Sequence, residues 1–157
     1  MGYAEQRLHE LGIKLPQVDL KGRGFISVRE HDGLLFISGQ GPLDEHNQPV
    51  WTGKLGQDLT VEEGYQAAQL CGINLLAKLK HYLGDLDRVD KVIKLFGLVA
   101  SSPDFYDQPQ VMNGCSDLMT DVFGQRGQHA RSAMGANVLP MNIAVEVEMI
   151  VAIRKGL

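Results

Sequence analysis

The chain has only two cysteines, Cys71 and Cys115, each lying among apolar neighbours in a stretch of helical periodicity. Buried free thiols are therefore expected in preference to a disulfide. There is no excess of basic charge: 15 Lys and Arg stand against 19 Asp and Glu, a formal −4 with a pI near 5.7. That balance argues against a nucleic-acid partner held by a basic surface. The five histidines are scattered, none at metal-ligand spacing from another His or a Cys, so no metal is expected. No Gly-x-Ser-x-Gly elbow and no Gly-rich phosphate loop is present, and no cofactor is implied. The first seven residues hold no apolar core of signal-peptide length, and no run approaches the ~18 apolar residues of a spanning helix. A soluble protein in a reducing cytoplasm, with no membrane partner, is the resulting expectation.

Repeats, low-complexity runs and linkers are also missing, so residues 1–157 are expected to form one domain. Within it, residues 3–11 predict a short amphipathic helix stopped by Gly12. Residues 25–29 and 34–38 predict two strands of a hairpin turned by His31-Asp32-Gly33. Residues 43–59, polar and glycine-bearing, predict loop. Residues 60–83 carry the strongest local signal. Thr60 and Glu63 form a capping box, Ala68, Cys71, Leu75, Leu79 and Tyr82 recur at helical spacing, and Gly84 supplies the stop. A strand over 88–101, a helix over 107–123 and strands over 129–137 and 143–154 follow. Asp85-Leu86-Asp87 and Lys80-His81 read as solvated charges at a helix end. The order, ββαβαββ after a short helix, predicts an α+β fold: one mixed or antiparallel sheet with two helices on one face.

Alternation along the strands predicts more than the fold. Val145, Val147, Met149, Val151 and Ile153 share the face expected to meet the helices. Ala144, Glu146, Glu148, Ile150, Ala152 and Arg154 share the other. The 88–101 strand is apolar on both sides, with Ile93, Leu95 and Val99 assigned to one face and Val92, Phe96 and Leu98 to the other. Residues 34–37 behave likewise. Two helices cover one face only, so the second is expected to be buried by another subunit or by curling into a barrel. Cover by the N-terminal helix and the 43–59 loop is the competing possibility.

Three groups could carry chemistry. Arg131, among small and apolar neighbours in 129–134, needs a partner: either a structural ion pair with Glu146 or Glu148, or a carboxylate ligand gripped by its planar fork. Glu146 and Glu148 are either a surface pair bonded to basic side chains or, if one is partly desolvated, a proton carrier near neutral pH. Gly39 and Gly41, in Ser38-Gly39-Gln40-Gly41-Pro42, permit a close backbone approach by a ligand, or simply a tight turn.

Taken together, residues 35–42, Ala130-Arg131-Ser132, Leu139-Pro140 and Val145-Glu146-Val147-Glu148 resemble the RidA/YjgF family over about residues 22–154. The first twenty residues resemble the extension of a longer branch of that family. The resemblance implies a chorismate-mutase-like fold, a homotrimer, and a ligand cleft at each subunit interface. It implies cofactor-free hydrolytic deamination of small 2-imino and enamine acids to 2-oxo acids and ammonia. Arg131 then matches the arginine that holds the substrate carboxylate, and Glu146 the glutamate that positions or activates water. Gly39 matches a glycine whose backbone lines the site, and Asn113 falls near an asparagine of the second long helix. Two positions depart. Phe25 stands where the family's deaminases often have Tyr, and Ala133 where they often have Cys. A metabolite-binding regulatory trimer without turnover is therefore the alternative. An endoribonuclease or translation inhibitor is disfavoured by the acidic charge and the missing His pair.

Overall fold

The computed structural model describes residues 1–156. Helix α1 spans Tyr3–Glu10, α2 Val61–Leu83 and α3 Gln108–Phe123. Strands β1 (Val28–His31), β2 (Leu34–Gln40), β3 (Val89–Ala100), β4 (Ala130–Ala136) and β5 (Val145–Ile153) form one sheet in the order β1-β2-β5-β3-β4. All neighbours are antiparallel except β3 and β4, which run parallel because α3 makes the crossover between them. The sheet is thus mixed, in an α+β arrangement.

Local chemistry fixes the elements. Asp32 and Gly33 both have positive φ, 49° and 78°, so a two-residue turn joins β1 to β2 and its twist matches that of the strands. Thr60 Oγ1 accepts from Glu63 N while the Glu63 carboxylate accepts from Thr60 N, the reciprocal box expected of that pair. α2 and α3 cross closely because Gly114 has no side chain: a Cβ there would lie 1.9 Å from the Tyr65 carbonyl oxygen. Both helices lie on one face of the sheet, over Leu35, Ile37, Val92, Leu95, Val99 and the 145–151 alternation. Cys71 and Cys115 are free and buried in this layer. Burial pushes both thiols up, Cys115 to about 12.

Four expectations change. The first strand begins at Val28 rather than at residue 25. Gly24 (φ 79°) turns the chain and Gly22 N donates to Phe25 O, which leaves Phe25 and Ile26 outside the sheet. In β3 the register against β5 slips between Val89 and Lys91 and again between Val92 and Lys94. These bulges turn Val92 to the helix side with Leu95, and Ile93 to solvent, the reverse of simple alternation. Asp87 is no solvated charge: its carboxylate accepts from Tyr3 N (2.7 Å) and Ala4 N (2.9 Å), capping α1 from outside that helix, while Asp85 caps the turn before β3. Lys80 pairs with Glu5 of α1. Those contacts hold α1 on the helix layer, where Ala4 and Leu8 are buried.

The second face of the sheet stays largely open; only its Leu98 end is covered, where Leu43, Leu139 and Ile143 form a small second cluster. Phe36, Ile93 and Met134 are 43%, 37% and 54% exposed, and Phe96, Leu98 and Ile150 are half-buried beside them. Among the described residues no helix is long and apolar enough to cross a membrane.

Candidate functional site

The residues singled out by sequence fall into three places. Arg131 is in register with Leu95 of β3, so its side chain leaves the helix face of the sheet at the exposed edge strand β4. There its Nη1 donates to Asn113 Oδ1 at 2.9 Å and to Ser116 Oγ at 3.1 Å, both on α3. Among the described residues it forms no ion pair, and its Nε and Nη2 have no partner. Within one chain the ion pair with Glu146 or Glu148 does not form, because those carboxylates leave the other face of the sheet. The open Nε–Nη2 edge is the shape that grips a carboxylate in two parallel bonds. Asn113, with its oxygen turned to Arg131, keeps its amide donors for a ligand on the same side. Ala133, two residues along the same face, packs against the core and adds no polar atom.

Glu146 pairs in register with Leu98 on that second face. Gly39 lies over it: a Cβ at Gly39 would come within 2.8 Å of Glu146 Oε1, so glycine there leaves room for the carboxyl. A cavity of 270 Å3 is lined by Gly39, Phe96, Leu98, Glu146 and Glu148. Burial, with the charge of Glu148 second, raises the Glu146 pKa above its ordinary value. Neither glutamate makes an ion pair among the described residues. A partly desolvated carboxyl of this kind exchanges protons nearer neutrality than a solvated one.

Phe25 joins neither group. It is 59% exposed ahead of β1, its ring lying where a Cβ on Gly22 would be. Sequence reasoning missed Ser116 and His129. Ser116 stands one helical turn from Asn113, a spacing that could have marked it. It also missed Asn74, buried in α2, whose Nδ2 donates to the carbonyls of Gly41 (2.9 Å) and Leu43 (3.0 Å) and so pins the chain leaving β2. Among the described residues no group of His, Cys, Asp and Glu is placed to hold a metal ion.

Comparison with known proteins places the chain in a family. Residues 5–153 match the family model described as "YjgF/chorismate_mutase-like, putative endoribonuclease". Protein TCP17 of Trypanosoma cruzi is 42% identical over 151 residues, covering 96% of this chain and 94% of that protein. A crystal structure of an Agrobacterium tumefaciens protein of unknown function is 41% identical with a TM-score of 0.88, over 96% of this chain and 92% of that one. A Shewanella oneidensis structure described as a "putative endoribonuclease" is 30% identical with a TM-score of 0.92, covering 97% and 100%. With a family match across nearly its whole length and a chorismate-mutase-like fold, the chain belongs to the RidA/YjgF family.

Proposed function

We propose that the chain acts as a homotrimer that hydrolyses small 2-imino and enamine acids to 2-oxo acids and ammonia, in a cleft between subunits. The observation that carries this reading is the placement of Arg131 and Glu146 on opposite faces of one sheet. Within a single chain they cannot serve one small ligand; two copies, packed through the uncovered face, can bring Arg131 of one beside Glu146 of the next. The exposed Phe36, Ile93 and Met134 supply an apolar surface for that packing.

The chemistry asks little of the protein. An iminium carbon is already electrophilic, so orientation and one proton carrier suffice. The Nε–Nη2 edge of Arg131 and the Asn113 amide hold the substrate carboxylate. Glu146 takes a proton from water as its oxygen bonds to the iminium carbon, giving a carbinolamine. The same carboxyl then returns the proton to nitrogen. As the C–N bond breaks, the carbinolamine oxygen forms the C=O bond and gives its remaining proton back to the Glu146 carboxylate. That carboxyl passes it to the departing ammonia, so that a 2-oxo acid and ammonium leave. Desolvation of Glu146 suits it to both roles, because burial makes its carboxyl hold a proton more readily than a solvated one does.

The decisive assay is ammonia release from freshly generated 2-iminopropionate, wild type against Arg131→Ala. The reading expects release by the wild type and its loss in the variant. If wild type hydrolyses none of several 2-imino acids yet still binds carboxylates, the regulatory trimer replaces the enzyme. Phe25 and Ala133, which bring neither hydroxyl nor thiol, favour that second reading.

A further inference from the structure

Resting on the proposal that Arg131 holds a carboxylate, we infer that Ser116 and His129 are positioning residues that set the direction of its guanidinium. His129 Nδ1 lies 2.6 Å from the Gly127 carbonyl oxygen, and its Nε2 lies 2.9 Å from Ser116 Oγ. A carbonyl only accepts, so Nδ1 carries the proton. In the neutral ring Nε2 then has only a lone pair to offer. The Ser116 hydroxyl must donate to it, and its remaining lone pairs turn to the Arg131 Nη1 that donates to it at 3.1 Å. Every bond in the chain Arg131→Ser116→His129→Gly127 therefore has a fixed sense, from the guanidinium down to a backbone carbonyl.

The elements make this chain stiff. Ser116 belongs to α3, His129 directly precedes β4, and Gly127 is buried in the turn that links them, with a Cβ there 2.1 Å from the Met119 carbonyl oxygen. Arg131 is thus gripped at Nη1 by Asn113 and Ser116 together. Its planar group can no longer spin about the long side chain, and the Nε–Nη2 edge is held open. Neither Ser116 nor His129 need touch the ligand. Their contribution is the rotational freedom that Arg131 has already surrendered before binding.

The test uses the full-length chain and 2-oxobutyrate as probe, with binding followed by calorimetry, and kcat and KM for 2-iminopropionate measured alongside. Ser116→Ala and His129→Ala should each weaken 2-oxobutyrate roughly tenfold and raise KM, with kcat little changed, since a charged hydrogen bond is lost away from the reacting atoms. The double variant should be no worse than either single one, because both cut the same chain. Ser116→Thr, which keeps the hydroxyl, should restore binding. Imidazole nitrogen NMR should find His129 protonated at Nδ1. Unchanged affinity in folded Ser116→Ala, additive losses, or the Nε2–H form would overturn the inference while leaving the carboxylate site standing. Failure of the wild type to bind 2-oxobutyrate at all would remove the parent proposal, and this one with it.

Discussion

Gly114→Ala tests how the helix layer positions the site. The new methyl would sit 1.9 Å from the Tyr65 carbonyl oxygen and 3.1 Å from Gln69 N, both backbone atoms that no rotamer change can move aside. An ordinary contact begins near 3.4 Å, so α3 must back away from α2 by about 1.5 Å, the difference between those two distances. Ala gains about 1 kcal/mol over Gly in a helix interior. Forced separation of packed helices costs about 1–3 kcal/mol, at the upper end here because backbone is struck. The expected net loss is about 2 kcal/mol, measured by urea denaturation, or roughly 4–8 °C in Tm. The same displacement carries Asn113 and Ser116 away from Arg131, so 2-oxobutyrate affinity should fall together with stability. A variant as stable as wild type, with unchanged affinity, would refute the claim that this crossing sets the height of α3 over β4.

Further outcomes follow from the two halves of the site and from the open face. Arg131→Lys should weaken 2-oxobutyrate binding by about 1–3 kcal/mol by calorimetry, because an ammonium cannot make the two-pronged contact. Glu146→Gln should leave binding intact while turnover falls about 10²–10⁴-fold. The same variant carries a pH signature in thermal melts. Folding raises the Glu146 pKa, so the charged form is penalised in the folded chain. That penalty is absent below the ordinary value of 4.5, sets in as pH rises through it, and is complete above the folded value. In a Phe36→Asp monomer, where no neighbouring guanidinium faces the carboxyl, Glu146→Gln should therefore match its parent near pH 4 and exceed it in Tm at neutral pH; a gap independent of pH would contradict the desolvation. Phe36→Asp should yield a folded monomer by light scattering, and a persistent trimer would place the interface elsewhere.

How much of this was legible in the sequence depends on whether the signal was local. The Thr60–Glu63 box and the Asp32-Gly33 turn involve neighbours a few residues apart, and both read correctly. The alternation in β5 also read correctly, because its strand runs without interruption. In β3 the same rule misplaced Val92 and Ile93, since a bulge inserts a residue without changing composition. Asp87 looked like a solvated charge because the amides it caps, on Tyr3 and Ala4, are more than eighty residues away. In the site, Arg131 and Glu146 were visible as charges on otherwise apolar strands. That they occupy opposite faces follows only from the parallel register of β4 on β3, which no periodicity reveals. Ser116 is marked only by its one-turn spacing from Asn113, and His129 by nothing until the turn through Gly127 brings the two together.

The central claim is that each working site borrows Arg131 from one subunit and Glu146 from another. It is tested most directly by mixing two inactive variants. Arg131→Ala and Glu146→Gln, bearing different tags, are co-expressed and the mixed trimers isolated through both tags in succession. Every subunit then lacks one of the two groups, yet an interface between an intact arginine and an intact glutamate is whole. Random assembly with cyclic symmetry makes about one quarter of the interfaces whole, and isolating only mixed trimers raises this to about one third. The account predicts ammonia release from 2-iminopropionate at about a third of the wild-type rate per trimer, against near-zero rates for either variant alone. Mixed trimers no more active than their inactive parents would contradict it.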